Sequence, residues 1–352
     1  MYAPKYTINN AILKNIGTIE ACREVIDNAP LVPAYEKKFK DEAALRTVYH
    51  GTHLEGNDLS FSQAQRILEG EEISARDRDI QEIINYRNVV NFLDGIVKPL
   101  TYSVDLLCRL HELTTDKLLT ADKVGQIRTS QVVIKDGATG EITFRPPPAI
   151  EVPFLLADFF DWLNSSMGRE VHPILRGGIA HYALVAIHPF VEGNGRVSRA
   201  FATLILYAEG YDTKRLFSLE EYFDRDAASY YDTLINTSSQ SEELAGRDLT
   251  EWLSYFTKGL AIELERVRDQ IRRISADLQI KKRMGQQVAL SDRQLKLMEY
   301  LNQHSRIQMR EAKKLLPMVS EDTILREFQD LFKKGIIKRE SFGRGAVYKL
   351  RT

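Results

Sequence analysis

Residues 188–199 read His188-Pro189-Phe190-Val191-Glu192-Gly193-Asn194-Gly195-Arg196-Val197-Ser198-Arg199, and the reading of this stretch decides the fold and the chemistry together. Gly193-Asn194-Gly195 is a turn signal, because glycine reaches backbone angles closed to other residues. The segment from Arg196 to Glu209 is apolar-rich and free of Gly and Pro, so it predicts a buried helix that stops at Gly210. The turn then delivers the chain into a helix N-terminus. Free backbone N–H groups and the positive end of the helix dipole converge there and make an anion site. Arg196 and Arg199 stand three apart on one helix face, and two guanidinium forks can grip two phosphates. Glu192 offers the kind of hard oxygen ligand that Mg²⁺ takes beside a nucleotide's phosphates. His188 is a proton acceptor suited to neutral pH. A lone glycine turn or a lone histidine is usually structural. Two arginines, a glutamate and a histidine around one helix start are hard to explain as packing.

HPFVEGNGRVSR resembles the signature of the Fic family, His-Pro-Phe-x-Asp/Glu-Gly-Asn-Gly-Arg-x-x-Arg, at every fixed position. The resemblance extends over roughly residues 40 to 260. It implies a mainly helical core with a β-hairpin flap. It also implies transfer of AMP from ATP to a Ser, Thr or Tyr hydroxyl of a target protein. By the same resemblance His188 deprotonates that hydroxyl, and Glu192 holds Mg²⁺ (or Mn²⁺) on the α- and β-phosphates. Gly193, Asn194, Gly195 and Arg196 cradle those phosphates, and Arg199 holds the γ-phosphate.

Upstream, Asp41 can N-cap a helix in which Ala44, Leu45 and Val48 recur at helical spacing and which Gly56-Asn57 stops. Glu55 then falls in the last turn, where the dipole disfavours an anion and asks for a cationic partner. An exposed glutamate would fit the same pattern. The resemblance implies more: an inhibitory helix, about residues 41–56, whose Glu55 pairs with Arg199 and denies it the γ-phosphate. The family pattern carries Ser or Thr four residues before the glutamate. Here that position is Gly51, with Thr52 one later. The expectation is a looser helix and a more easily relieved brake.

Residues 131–134 and 141–144 predict a hairpin around a turn at Lys135 to Gly140, stopped by Pro146-Pro147-Pro148. A short hairpin in a helical chain leaves an edge that an extended target segment can join, unless neighbouring helices cover it. The family places a flap here, which points to a target protein presenting its hydroxyl near 131–144. In Ser229-Tyr230-Tyr231-Asp232, the resemblance makes Tyr231 a nucleoside contact, where the bare sequence allows a core aromatic. His181, on an apolar helix seven residues before His188, reads as structural.

The whole chain has 352 residues and a net charge of −1, which excludes a polyanion or a broadly basic nucleic-acid binder. Cys22 and Cys108 have no metal spacing and build no disulfide framework. No apolar run approaches a membrane span, and no signal peptide is evident, so a cytoplasmic protein without membrane contact is expected. Four regions follow: an N-terminal helical region carrying the inhibitory helix (1–100), the catalytic core (101–260), a connecting helix and linker (261–286, the helix read over 258–284 and the linker at Gly285-Gln286-Gln287), and 287–352. The last predicts helices over 293–302, 309–315 and 321–334, then strands over 336–341 and 346–350 around Phe342-Gly343-Arg344-Gly345, a winged helix-turn-helix. From residue 291 it carries 14 Lys/Arg against 8 Asp/Glu. That balance suits duplex DNA, with the third helix in the major groove and Arg344 on the backbone or minor groove. Yet Ser320-Glu321-Asp322-Thr323 would set acids against phosphates, so a protein-interaction or homodimerisation unit fits the same shape. Two other readings stay open: a DNA-binding regulator whose Fic unit senses nucleotide, and a Fic enzyme that moves another phosphate-bearing group or removes AMP. A pure sensor has no need of His188, and the glycine turn with both arginines favours ATP.

Overall fold

The computed structural model describes residues 2–29, 31, 33–96, 100–135, 140–284, 290–340 and 346–351; for 33, 34, 275–284, 302 and 303 it describes the backbone alone. The chain divides into two compact units, residues 1–28 with 32–267 and residues 29–31 with 268–352.

The first unit opens with α1 (Asn10–Asp27), α2 (Pro33–His53), α3 (Phe61–Leu68), α4 (Asp77–Asp94) and α5 (Val104–Thr115). A two-stranded antiparallel hairpin follows, β1 (Ile134–Lys135) and β2 (Ile142–Phe144), with Ile134 opposite Phe144 and an irregularity before Lys135 pairs with Ile142. Then come α6 (Val152–Asn164), α7 (Ser166–Glu170), α8 (Pro173–Ile187), α9 (Asn194–Ala208), α10 (Leu219–Arg225) and α11 (Ala227–Ser239). α12 (Thr250–Met284) is continuous and begins in this unit.

α8 and α9 form the centre. α8 is apolar but for Arg176 and His181 and is buried on all sides from Ile174 through Leu184, as a helix without a polar face must be. His181 sits inside it, stacked on Trp252 at 4.8 Å and facing the Tyr230 hydroxyl through Nε2 at 3.1 Å. Burial pushes its pKa well below the ordinary imidazole value, so it is a neutral core residue.

Several sequence expectations shift. α2 begins at Pro33, so Asp41 lies inside the helix and caps nothing. The run Glu36-Lys37-Lys38 favours helix and carries it upstream. α9 begins at Asn194, not Arg196, because Gly193 alone takes the left-handed turn (φ 81°). The long helix expected from 258 starts at Thr250. Residues 131–133 are not strand, and Lys135 pairs instead of turning. The turn residues 136–139, the linker at Gly285-Gln286-Gln287 and the segment Phe342 to Gly345 with Arg344 lie outside the described residues.

The second unit contains α13 (Asp292–His304), β3 (Ile307–Gln308), α14 (Met309–Leu315), α15 (Glu321–Lys333), β4 (Ile337–Arg339) and β5 (Val347–Leu350). Its antiparallel sheet has the order β3-β5-β4. Leu297, Leu301, Ile324, Phe328, Ile337 and Tyr348 fill its core, with Phe328 stacked on Tyr348 at 4.1 Å. Among the described residues no helix is long and apolar enough to cross a membrane. Neither cysteine is in a disulfide.

Candidate active site

α8 ends where His188 adopts a left-handed conformation (φ 53°, ψ 60°), its N–H closing on Leu184 O. A non-glycine residue rarely takes this region. It turns the chain sharply into Pro189–Glu192, and Gly193 turns it again into α9. Asn194 locks the loop between these two turns. Its side chain accepts from the Phe190 N–H at 2.9 Å and donates to Phe190 O at 2.8 Å. The amides of Asn194, Gly195 and Arg196 therefore form the first turn of α9, where a helix has no internal acceptor for them.

The His188 ring is half-buried, with Nδ1 3.3 Å from Val185 O. A proton on Nδ1 donated to that carbonyl leaves Nε2 as the basic nitrogen. Burial pulls the imidazole down to about 4, against the opposing pull of the Val185 carbonyl. The ring is neutral at pH 7, as a proton acceptor must be.

His111, which the sequence reading passed over, supports the loop from α5. It stacks on Phe190 at 3.9 Å. Its Nε2 faces Glu192 O at 3.1 Å, and its Nδ1 accepts the Gly125 N–H at 2.9 Å. The Nδ1 acceptor fixes Nε2–H as the donor, so the ring is neutral, and burial holds it at about 4. Three histidines (111, 181 and 188) thus refuse a proton that the unfolded chain takes up near pH 6.5. The unfolded state binds more protons below that pH, so stability falls as pH drops from about 6.5. At pH 5 each fully buried ring, His111 and His181, costs up to about 2 kcal/mol. Melting temperatures between pH 6.5 and 5 should fall steeply, and a flat profile would contradict the neutral assignments.

Both arginines are buried, each at 3% exposure or less. Arg199 donates Nη1–H to Glu55 Oε1 at 2.8 Å and Nη2–H to Gly51 O at 2.8 Å. Burial alone would raise the Glu55 carboxyl, but Arg199 and Arg196 outweigh it and hold Glu55 below its usual value. A Cβ on Gly195 would strike the Glu55 carboxylate, so Glu55 lies directly against the start of α9. Arg196 pairs with Glu82 at 3.4 Å and with Glu192 at 3.8 Å, and Glu192 is also paired with Arg78. Nε and Nη1 of Arg196 and Nε of Arg199 are buried without a hydrogen bond. Protein carboxylates thus stand where an anionic ligand would, and donors are left over. Arg78 and Glu82, i and i+4 on α4, were missed because only an i,i+4 pair on a charged helix marked them.

Gly51 is not a loose point in α2. A Cβ there would run into the Tyr86 ring, whose hydroxyl donates to Glu220 Oε1 at 3.0 Å. Tyr86 fills the space a Ser or Thr side chain would need. Thr52 Oγ1 donates to its own helix, to Val48 O and Tyr49 O at 3.0 Å. α2 is further tied to α10 by Arg46 to Glu221 at 2.9 Å and by His50 and His53 to Asp224 at 2.7 and 2.8 Å. The expected slack at Gly51 is therefore corrected: the helix is packed there, not frayed. Gly51→Ser should cost about 1–3 kcal/mol by overpacking. In urea unfolding, Gly51→Ser combined with Tyr86→Ala should cost less than the sum of the two, and strict additivity would disprove the clash.

Tyr231 donates its hydroxyl to Leu54 O at 3.0 Å, beside Glu55. A groove of about 980 Å³ opens between β2 and the end of α11, lined by Phe144, Pro147, Ile187, Ile235, Ser238 and Arg247. It reaches the residue before His188. For a metal, Glu192 is the one carboxylate of the loop, about a third exposed at the lip of the α9 amides. Among the described residues no group of three His, Cys, Asp or Glu could hold an ion alone. The donors fit an ion that arrives with phosphates, since Mg²⁺ commonly takes one or two carboxylates and fills the rest with phosphate and water.

Residues 100–206 match the Fic/DOC family. The chain is 36% identical over 171 residues to protein adenylyltransferase fic-1 of Caenorhabditis elegans, covering 47% of this chain and 32% of that one. It is 27% identical over 205 residues to protein adenylyltransferase Fic of Drosophila willistoni, covering 56% and 39%. It thus spans about a third of the length of these relatives. A crystal structure of a Fic family protein from Desulfovibrio desulfuricans superposes with a TM-score of 0.65 at 23% identity, covering 99% of this chain and 98% of that one. Fic-1 (residues 134–508) of C. elegans superposes with a TM-score of 0.58 at 26% identity, covering 74% and 72%. Residues 100–206 thus carry the resemblance to a Fic domain. The chain is similar over about half its length to proteins named as adenylyltransferases, and it shares the mainly helical fold of these solved structures.

Proposed function

We propose that the protein transfers AMP from ATP to a hydroxyl of a target protein and restrains itself through Glu55. The observation that carries this reading is the placement of the His188 ring, its Nδ1 3.3 Å from Val185 O, beside a helix start that gathers free amides and two buried arginines. ATP would lie with its α- and β-phosphates on the amides of Gly193, Asn194 and Gly195 and on Arg196, and its γ-phosphate on Arg199. Glu192 would hold Mg²⁺ or Mn²⁺, which neutralises phosphate charge when bound. His188 Nε2 takes the proton of the target hydroxyl as its oxygen attacks the α-phosphorus. The bond to the β-phosphate's bridging oxygen breaks, and pyrophosphate leaves. Little beyond placement and charge neutralisation is asked of the protein. Glu55 occupies Arg199 and so keeps the γ-phosphate off it until α2 yields.

Incubation of the full chain and of Glu55→Gly with α-labelled ATP and lysate tests this, followed by mass spectrometry of labelled bands. An adduct of AMP mass on Ser, Thr or Tyr is expected. No adduct from either protein, or a different adduct, would overturn the reading.

The second unit is, on the same reading, a winged helix-turn-helix. Leu325 and Phe332 stand exposed on α15, and Glu321 and Asp322 occupy its first turn. That face favours a protein partner over DNA phosphates. Duplex binding by the full chain that weakens with salt would reverse the preference.

A further inference from the structure

Arg128 is 3% exposed and makes no ion pair among the described residues, yet its guanidinium reaches four backbone carbonyls. Nε donates to His188 O at 2.7 Å. Nη1 donates to Ser130 O at 3.2 Å. Nη2 donates to Pro147 O at 2.6 Å and lies 3.5 Å from Ile187 O. The Arg128 backbone N–H adds a bond to Pro189 O at 2.9 Å. These acceptors form two pairs. Ser130 and Pro147 are the two roots of the flap, just before β1 and just after β2. Ile187 and His188 flank the left-handed joint that aims the imidazole. A planar fork with fixed donor directions cannot shift one pair without straining the other. Burying a cation without a carboxylate is costly, and plain space-filling would not require one.

We propose that Arg128 is a positioning residue that couples the flap to His188, so that a target segment seated on the flap finds the imidazole already aligned. This rests on the reading of His188 as the base. A target hydroxyl must meet Nε2 within about 3 Å, and a displacement of about 1 Å can cost about 100-fold. The flap root and the histidine joint share one guanidinium, which keeps that distance constant as the flap moves.

The test uses the full chain as wild type, Arg128→Lys and Arg128→Gln. Three measurements are made on each: NMR titration of the His188 imidazole, hydrogen exchange of the flap amides Ile142–Phe144, and ATP binding by calorimetry. In a folded variant we expect the imidazole to titrate closer to the ordinary value, because the joint loosens and hydrates. Flap exchange should accelerate in the same variant, with ATP affinity within about threefold of wild type. If labelled transfer is measurable, kcat should fall by about 100-fold with the KM for ATP unchanged. A folded variant whose imidazole and flap both behave as wild type, or in which only one of them changes, overturns the coupling. Should both variants fail to fold, exchange in the wild type decides. The flap amides and the His188 amide must then open at one common rate, and independent rates overturn the proposal. The NMR and exchange readings do not need transfer activity. Absence of transfer in wild type and Glu55→Gly would defeat the proposed function and leave this test standing.

Discussion

Replacing Glu55 by glycine is expected to raise AMP transfer by about 100-fold. Keeping 99% of molecules restrained needs only about 2.7 kcal/mol. A charge-assisted bond of 2.8 Å to an arginine at 2% exposure is of a kind able to supply it, although the Glu55 side chain itself is 27% exposed. The substitution does two things at once. It frees Nη1 of Arg199 while Gly51 O still holds Nη2, so the guanidinium stays in place for the γ-phosphate. It also clears the space over Gly195, where the carboxylate now lies. A buried arginine without its carboxylate should lower the melting temperature in the absence of nucleotide, and ATP should restore it. Transfer measured with labelled ATP in both Mg²⁺ and Mn²⁺ checks the idea. No increase in either metal would remove the brake from the account.

His188→Ala should abolish transfer by a factor of about 10²–10⁴, the usual contribution of a general base, and leave ATP affinity nearly unchanged. The prediction is best made in the Glu55→Gly background, where the starting rate is high. Among the described residues the imidazole makes one hydrogen bond, to Val185 O, and its backbone is held by Arg128 and Leu184. Loss of the ring should therefore not collapse the loop. Alanine keeps the Cβ of histidine and adds no clash at the left-handed angles of 188, where histidine is the commoner residue. Transfer at the parent rate, with ATP binding intact by calorimetry, would show that the proton goes elsewhere.

The loop was legible because its chemistry is contiguous: twelve successive residues carry the turn, the two arginines, the glutamate and the histidine. Glu55, 144 positions from Arg199, could be found only through the family resemblance, since a glutamate near a helix end has bland readings. What stayed hidden was set by tertiary contact. Nothing near Gly51 in the chain announces that Tyr86 will occupy its face, and the absent hydroxyl read as slack. Nothing around His111 or Arg128 marks them as the props of a loop some 60 to 80 residues further on. The start of α2 was misplaced because Asp41 is a good cap in isolation, while helix-favouring residues upstream carry the helix past it. The resemblance made Asn194 a phosphate ligand; its side chain is hydrogen-bonded to Phe190.

On this reading Arg199 has two claimants, a carboxylate of its own chain and the terminal phosphate of ATP. Thermodynamic reciprocity then binds them: whatever factor Glu55 subtracts from triphosphate affinity, the triphosphate subtracts from the docking of α2. Any molecule that pries α2 loose must itself bind more tightly when the cell is rich in ATP, and ADP, lacking that phosphate, should leave the two unlinked.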